Sequence, residues 1–495
     1  MRRFETRVAS GTVLMLMVIV VVIFTVRVQP AESETKTIVV PDDYPTIQEA
    51  INAASEGDTI FVKRGIYPEG LVVNQSVTLV GASLQDTVID GTGMGIHGVL
   101  VNVTSNDVAI KGFTVQGAGG TGIFCSAINV TIQNNIMDNF YNAIILEPFN
   151  YSWDAVVYQL PQNNTISGNN ITRNSGRDIM LFGSSYNTIT GNEVGYVGLG
   201  CLFNLTKIQQ QEGEMQLFNS SYNTFSGNKV TGGFELWGEP LPQDVDKTLW
   251  KGLYGVAYNT FSGNDVRHST YNVAGFYLDR VAYNTISGNN ITGAGGPGVQ
   301  MVNSSYNTLT GNNIVANEVG VTLNNSLYNT ISGNIVALNG EGIKLDGSSH
   351  NTLTGNDISN NTVAGLWLRN SSHNTVTTNN LEGIDLLNSY NNVIFHNNMA
   401  WAYTDSVNTW NDIYPSGGNY WSYYAGVDEK SGPDQDQPGS DGIGDTSYII
   451  DSNNRDWYPL MTPVVIPEFP SFLILPLLMI ATLLSVIVYK RKHPV

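Results

Sequence analysis

Three stretches rich in aromatic and acidic residues interrupt an otherwise regular repeat: Glu147 to Tyr158, Phe203 to Gln216 and Trp237 to Trp250. They carry Trp153, Asp154, Tyr158, Glu212, Glu214, Trp237, Glu239, Asp244, Asp246 and Trp250. Asp279 and Arg280 fall at nearly the same place in the next repeat. Flat rings are apolar platforms on which a sugar ring can stack. Carboxylates beside them can accept hydrogen bonds from hydroxyls or work as general acid and base. These side chains are the candidate substrate-binding residues. The alternative is solvated surface decoration, because exposed loops tolerate insertion at little cost. No catalytic residue is assigned. Hydrolysis or elimination needs two carboxylates, or a carboxylate and an arginine, converging on one groove, and spacing along a chain does not establish convergence.

Two other constellations invite a metal. Asp434, Asp436, Asp441 and Asp445 lie in one acidic stretch with Gly442 and Gly444. Hard cations take oxygen ligands on a loop that glycine lets bend, so Ca2+ is the cofactor this stretch suits. Its spacing departs from the EF-hand loop, and a solvated acidic loop is the alternative. His350 and His373 occupy equivalent positions in adjacent repeats, and paired imidazoles suit copper. Yet neighbouring copies hold Tyr328 and Tyr390, and no Met or Cys cluster adjoins them. A stacked ring ladder is the better reading, and copper is disfavoured.

What positions these residues is a repeat. The phrase Tyr-Asn-Thr-Ile-Thr-Gly-Asn begins at Tyr186, with variants from Tyr222, Tyr258, Tyr283, Tyr306 and Tyr328, and with His350 or His373 replacing the ring. Degenerate copies centre on Asn106, Asn129, Asn164 and Asn391. Seven of the eleven spacings between marker asparagines lie between 22 and 25, three are 35 or 36, and the last is 17. Apolar residues such as Ile331, Ile335, Ile343, Leu345 and Leu353 sit in short runs among polar neighbours, without the i, i+3, i+4 pattern of a helix. Short strands separated by turns follow. An in-register ladder of asparagines would hydrogen-bond along such a stack, and Gly and Asn tolerate the left-handed backbone of tight corners. The expected fold is all-β: a single-stranded right-handed parallel β-helix, a solenoid of about 22–23 residues per coil. Thr46 to Ala54 reads as an N-terminal capping helix, with Thr46 and Glu49 at capping-box spacing. The expected organisation is a signal peptide or signal anchor over 1–31 and the capped β-helix over 32–400. An aromatic and acidic C-terminal cap follows over 401–463, then a membrane anchor or sorting signal over 464–495.

The two end segments are apolar. Gly11 to Val26 follows Arg2, Arg3 and Arg7, and Phe472 to Tyr489 precedes Lys490-Arg491-Lys492. Basic flanks at both outer ends orient everything between them away from the cytoplasm. That exported part keeps 16 basic and 41 acidic residues, a balance of −25. Such a surface repels nucleic acid and anionic lipid and favours cations or neutral partners. Cys125 and Cys201 are the two cysteines. They fall about three coils apart, roughly 14 Å at ~4.8 Å per coil, beyond disulfide reach, and read as buried thiols. Thirteen Asn-x-Ser/Thr sequons run from Asn74 to Asn370, acceptor sites on an exported surface.

Thr37 to Gly91 contains Val40-Pro41, Pro45-Thr46-Ile47-Gln48-Glu49-Ala50-Ile51, Gly57-Asp58-Thr59-Ile60 and Gly65-Ile66-Tyr67. This stretch resembles the opening coils of pectin-lyase-like β-helices. The Asn-Thr-Ile-Ser-Gly-Asn coils look like the NosD-like family, within the carbohydrate-binding and sugar-hydrolase group. Gly418-Asn419-Tyr420-Trp421, Asp441-Gly442-Ile443-Gly444-Asp445-Thr446 and Tyr458-Pro459-Leu460-Met461 are similar to the ending of archaeal surface members. Pro467-Glu468-Phe469-Pro470 before the last apolar segment resembles an archaeal sorting signal, with an ordinary stop-transfer anchor as the alternative. The resemblance implies a membrane-anchored cell-surface protein that binds, and in some relatives processes, polysaccharide. Its partners would be carbohydrate or cell-envelope components. A passive structural or adhesive protein is the second expectation and periplasmic copper handling the third.

Overall fold

Alternation within each short run decides which side chains enter the core. Ile331, Ile343, Leu345 and Leu353 are all fully buried, and the strands that carry them stack coil upon coil. The computed structural model describes residues 35–466 apart from 94–97, 118, 149–159, 173, 195–214, 219, 239–255 and 268–273. One coil runs through Thr330–Ser332, Ile335–Ala337 and Glu341–Asp346, and Thr352 begins the next, 22 residues after Thr330. These three segments belong to three parallel sheets. Sheet 1 has 15 strands from Thr37–Val40 to Val393–Phe395, and sheet 2 has 15 from Gly65–Tyr67 to Tyr420–Trp421. Sheet 3 has 14, from Leu71–Val73 to Trp401–Thr404. Register is strict: Ile331 pairs with Leu353, and Leu345 with Leu368. The expected all-β parallel β-helix is what the chain forms.

Asparagine holds the corners. The Asn307 backbone N–H donates to Asn329 Oδ1 at 2.8 Å, Asn329 N–H to Asn351 Oδ1, and Asn351 N–H to Asn374 Oδ1. The side-chain amides donate along the same stack, as Asn307 Nδ2 does to Asn329 Oδ1 at 3.2 Å. A parallel ladder occupies the corner between sheets 1 and 2, through Asn289, Asn312, Asn334 and Asn356. Each amide thus satisfies backbone groups that the turn takes out of the strand ladder. The first ladder begins at Asn164, because Val108 and Val130 fill its place in the earlier coils and are buried. The marker residues Asn106, Asn129 and Asn391 therefore sit one or two positions early. Asn129 and Asn391 take the left-handed position (φ 59° and 56°), and Asn392 is the ladder residue.

That left-handed position is held by Asp107 and Asn163 in two other early coils (φ 59° and 57°) and by rings from Tyr186 to His373. Tyr186, Tyr222, Tyr258, Tyr283, Tyr306, Tyr328, His350 and His373 all have φ between 56° and 60°. Their successive centroids lie 4.9–5.2 Å apart, stacked. Left-handed backbone costs a residue with a Cβ roughly 1–2 kcal/mol, and an aromatic pair returns about 0.5–1.5 kcal/mol. The two terms are comparable, so each ring is tolerated where glycine would otherwise be expected. The paired histidines are two rungs of this ladder.

The N-terminal end carries the expected short helix. The helix α1 spans Ile47–Ala53, and its N-cap Thr46 accepts from Glu49 N–H at 3.1 Å. Glu69 adds two more acceptors, for Ile47 N–H and Gln48 N–H, which the sequence did not indicate. At the other end the β-helix passes the expected boundary at 400. Trp401–Thr404 is the last strand of sheet 3 and Tyr420–Trp421 the last of sheet 2. Asp456 then terminates the second asparagine ladder, accepting from Asn419 N–H at 2.6 Å and Trp421 Nε1 at 2.9 Å. Cys125 is buried, and burial pushes its thiol up to about 12. Cys201 and both apolar end segments lie outside the described residues. Among the described residues no helix is long and apolar enough to cross a membrane.

Candidate functional site

Two strands of sheet 3 bring chemistry to its outer face. Phe234–Trp237 sends Phe234 and Leu236 into the core, and Phe276–Asp279 does the same with Phe276 and Leu278. The remaining residues are aligned by strict register: Glu235 pairs with Tyr277, and Trp237 with Asp279. The Trp237 and Tyr277 rings lie 4.9 Å apart, tilted by 49°. Trp237 Nε1 donates to Glu235 Oε2 at 3.3 Å. Arg280 Nη2 donates to Asp279 Oδ2 at 2.7 Å and Arg280 Nε to the Gly238 carbonyl at 3.0 Å. Gln300 continues the row of Glu235 and Tyr277 into the next coil.

The electrostatics of this cluster are shared. Burial, then the charges of Asp279 and Glu235, push the Tyr277 hydroxyl up to about 12, so it stays a neutral donor. Burial raises the Asp279 carboxyl, and Arg280 opposes the shift. Both carboxylates therefore act on one phenol beside an indole face. Glu235 and Asp279 are themselves buried, at 2% and 6% exposure, and the Trp237 and Tyr277 rings are half-buried, so the rings are what the set offers to a stacked sugar. Two carboxyl groups beside a neutral phenol also have the composition that acid–base chemistry needs.

Of the expected residues, Trp237, Asp279 and Arg280 are brought together here. Trp153, Asp154, Tyr158, Glu212, Glu214, Glu239, Asp244, Asp246 and Trp250 lie outside the described residues. The long stretches do not all enter at one corner of the coil. The first and third lie between sheet 3 and sheet 1, after Asn142–Leu146 and after Phe234–Trp237. The second lies between Glu193–Val194 of sheet 2 and Met215–Phe218 of sheet 3, so its assigned end, Gln216, is a strand residue. The extra chain thus joins both edges of sheet 3. Glu235, Tyr277 and Gln300 were missed because they stand in strands. The in-phase pattern Phe-Glu-Leu-Trp and Phe-Tyr-Leu-Asp was the available signal.

Sheet 3 is unusual in a further way. Asn102, Asn142, Asp279, Thr322, Trp367 and Asp385 each keep a shielded polar atom with no hydrogen-bond partner, and all stand on strands of this sheet. Beyond this sheet, the described residue with such an atom is Gln435. A shielded, unpaired polar group costs about 1–3 kcal/mol, and sheets 1 and 2 carry none among their described residues.

The acidic stretch of the C-terminal cap is organised differently. Asp445 accepts from Glu429 and Lys430 N–H, and Asp441 from Gln435 Nε2 and Ile443 N–H. Asp436 accepts from Gln437 Nε2 at 2.8 Å. Asp428, not among the expected ligands, gathers Ser440 Oγ, Asp441 N–H and Gly442 N–H. These carboxylates staple turns. Among the described residues no group of three or more His, Cys, Asp or Glu is placed to hold a metal ion.

Comparison with known proteins agrees with this architecture. Residues 252–400 match the family described as "Right handed beta helix region". Residues 51–238 match the one described as "Periplasmic copper-binding protein (NosD)". The chain is thus a right-handed parallel β-helix, part of which, residues 51–238, is similar to the NosD family. It is 26% identical over 178 residues to a "Cell surface glycoprotein" of Methanothermus fervidus, covering 34% of this chain and 27% of that relative. The chain therefore spans about a quarter of the length of the curated relative it matches. Among solved structures it is similar to the Dettilon tailspike protein, at 12% identity and a TM-score of 0.46, covering 66% of this chain and 67% of that one. It is also similar to the mannuronan C-5 epimerase AlgE4 A-module of Azotobacter vinelandii, at 18% identity and a TM-score of 0.39, covering 63% of this chain and 89% of that one.

Proposed function

We propose that this chain is a cell-surface β-helix protein that binds polysaccharide on the outer face of sheet 3. The observation that carries the reading is the in-register cluster of Glu235, Trp237, Tyr277, Asp279 and Arg280. It supplies a ring platform, two carboxylates and a guanidinium within two coils. Support also comes from the long stretches at both edges of that sheet, and from the cell-surface relative. Trp153 and Trp250 are proposed to add to the same cleft from the first and third stretches. An acidic exported surface suits a neutral polymer better than a polyanion. The copper reading draws on the family description alone, since the matched span 51–238 holds a single histidine, His97.

The test is a glycan-array screen of the purified protein, followed by titration of the hits against Trp237→Ala and Tyr277→Phe. Loss of the Trp237 ring should weaken binding by about tenfold, near 1.4 kcal/mol, and Tyr277→Phe, which keeps its ring and loses the hydroxyl, should weaken it less. If Trp237→Ala binds its glycan as tightly as the parent, the site lies elsewhere. If the parent binds no glycan, the structural or adhesive reading takes its place.

A further inference from the structure

The outer row that holds Glu235 and Tyr277 does not end there. In register, coil by coil, it continues through Gln300, Thr322, Lys344, Trp367, Asp385 and Tyr403. The middle members are small or polar, and the last three repeat the composition of the first cluster: ring, carboxylate, ring. Trp367 is half-buried between Leu366 and Leu368, which face the core, and Asp385 likewise lies between buried Ile384 and Leu386. Tyr403 is 54% exposed. Burial raises the Asp385 carboxyl, and the charge of Arg369, exposed at the end of the Trp367 strand, opposes the shift. Trp367 Nε1, Asp385 Oδ1 and Thr322 Oγ1 are three of the shielded polar atoms without partners.

We infer that Trp367, Asp385 and Tyr403 form a second sugar-binding subsite on the same face, and that the ligand is a neutral polysaccharide long enough to span both. This inference rests on the proposed function. Strands in a sheet lie ~4.8 Å apart, so Trp367 is roughly 19 Å and Tyr403 roughly 29 Å from Tyr277 along the axis. A short oligomer fills one cluster, and a chain running parallel to the solenoid axis fills both. Charge selects the polymer. Between the clusters Lys344 is already paired with Glu341 at 2.7 Å, as Arg280 is with Asp279. Asp385 faces Arg369, and the net charge of −19 over the whole chain turns away polyanions. Two weak subsites on one rigid face bind a spanning chain far more tightly than either binds a fragment, because the second contact is intramolecular. The strand register fixes their separation without any ordering cost.

The experiment titrates the full protein with size-graded neutral oligosaccharides of the gluco-, manno- and N-acetylglucosamine series, using parent, Tyr403→Ala, Asp385→Asn, Trp367→Ala and Trp237→Ala. Tyr403 lies outside the core, so Tyr403→Ala keeps the test open if Trp367→Ala does not fold. The parent should show affinity rising steeply once the oligomer is long enough to reach both clusters. Tyr403→Ala and Asp385→Asn should remove that rise, weakening the longest oligomer at least tenfold, and leave short oligomers within twofold. Trp237→Ala should weaken both. If the parent binds long oligomers and the Tyr403 and Asp385 variants match it at every length, the second subsite is refuted and the first stands. If no oligomer of any series binds the parent, the proposed function fails and the second subsite with it.

Discussion

Replacing Asn334 with alanine tests whether the corner ladder holds the solenoid together. Asn334 Oδ1 accepts from Asn312 N–H and Asn312 Nδ2, both at 2.9 Å. Asn334 Nδ2 donates to the Leu309 carbonyl and to Asn356 Oδ1, also at 2.9 Å. Alanine leaves Asn312 N–H without a partner in a site that is 1% exposed and removes one of the bonds to the Leu309 carbonyl. The orphaned N–H costs about 1–3 kcal/mol, so the expected loss is about 2–4 kcal/mol once the small cavity is added. A solenoid distributes stability over nearest-neighbour coils, and a single global transition is not assured. Hydrogen exchange is therefore the assay. Protection should fall in the coils holding Asn312, Asn334 and Asn356 and stay unchanged near Val62. Asn334→Asp keeps the acceptor but buries a charge, so its damage should be larger at neutral pH and ease on acidification. Loss of protection under 1 kcal/mol for Asn334→Ala, or Asn334→Asp behaving alike at pH 5 and pH 8, would refute the reasoning.

Three further outcomes are expected. Tyr306→Gly should be nearly neutral in thermal melting, because the strain it relieves matches the two stacked contacts it removes, while Tyr306→Ala keeps the strain and should be the less stable of the two. Burial pushes Asp456 from its ordinary 3.8 up to about 6, against the hydrogen bonds it accepts. Its contribution is thus complete below pH 3.8 and is lost as pH rises through about 6, worth about 3 kcal/mol in all. Denaturant titrations from pH 4 to 8 on parent and Asp456→Asn should diverge over that window, and parallel curves would retire the assignment. Ca2+ at Asp434, Asp436, Asp441 and Asp445, which the sequence suggested, would make the melting temperature of the cap fall with chelator and recover with millimolar Ca2+. Equal melting in both counts against any bound ion.

The fold was legible because each level of the sequence repeats the same instruction. Ile331 and Leu353 fall 22 residues apart and do pair, and the four asparagines from Asn307 to Asn374 do stack. The errors came where a repeat is degenerate. Val108 and Val130 replace the ladder amide with an apolar side chain, so the eye moves to Asn106 and Asn129, which serve the turn instead. At the other end Trp401–Thr404 and Tyr420–Trp421 keep the strand register without the repeat's wording. The site was half legible. Trp237, Asp279 and Arg280 are conspicuous as departures from the repeat. Glu235 and Tyr277 are hidden in ordinary alternation, and only the pairing of their strands reveals that they share a row. The corner at which the second long stretch enters was not legible for a physical reason. Spacing between markers measures the length of an insertion within a coil, not which of its three corners holds it.

The contrast between outer faces is the strongest argument that sheet 3 is the working surface. On sheet 1 the outward position before each buried apolar residue is threonine in coil after coil: Thr285, Thr308, Thr330, Thr352 and Thr375 are successive partners. Threonine suits a pleated, half-exposed strand, and that uniformity is what stacking alone selects. Sheet 3 obeys the same register and twist, yet its row reads Glu235, Tyr277, Gln300, Thr322, Lys344, Trp367. Stacking gains nothing from placing an acid beside a phenol or an indole beside a lysine, and the shielded polar atoms show a cost. A solenoid leaves its outward residues free to differ wherever the core and corners are already satisfied. Where they differ at a cost in stability, the polysaccharide proposed above supplies a reason: ring-and-carboxylate clusters at two places along one straight row suit a polymer of sugars lying along the axis.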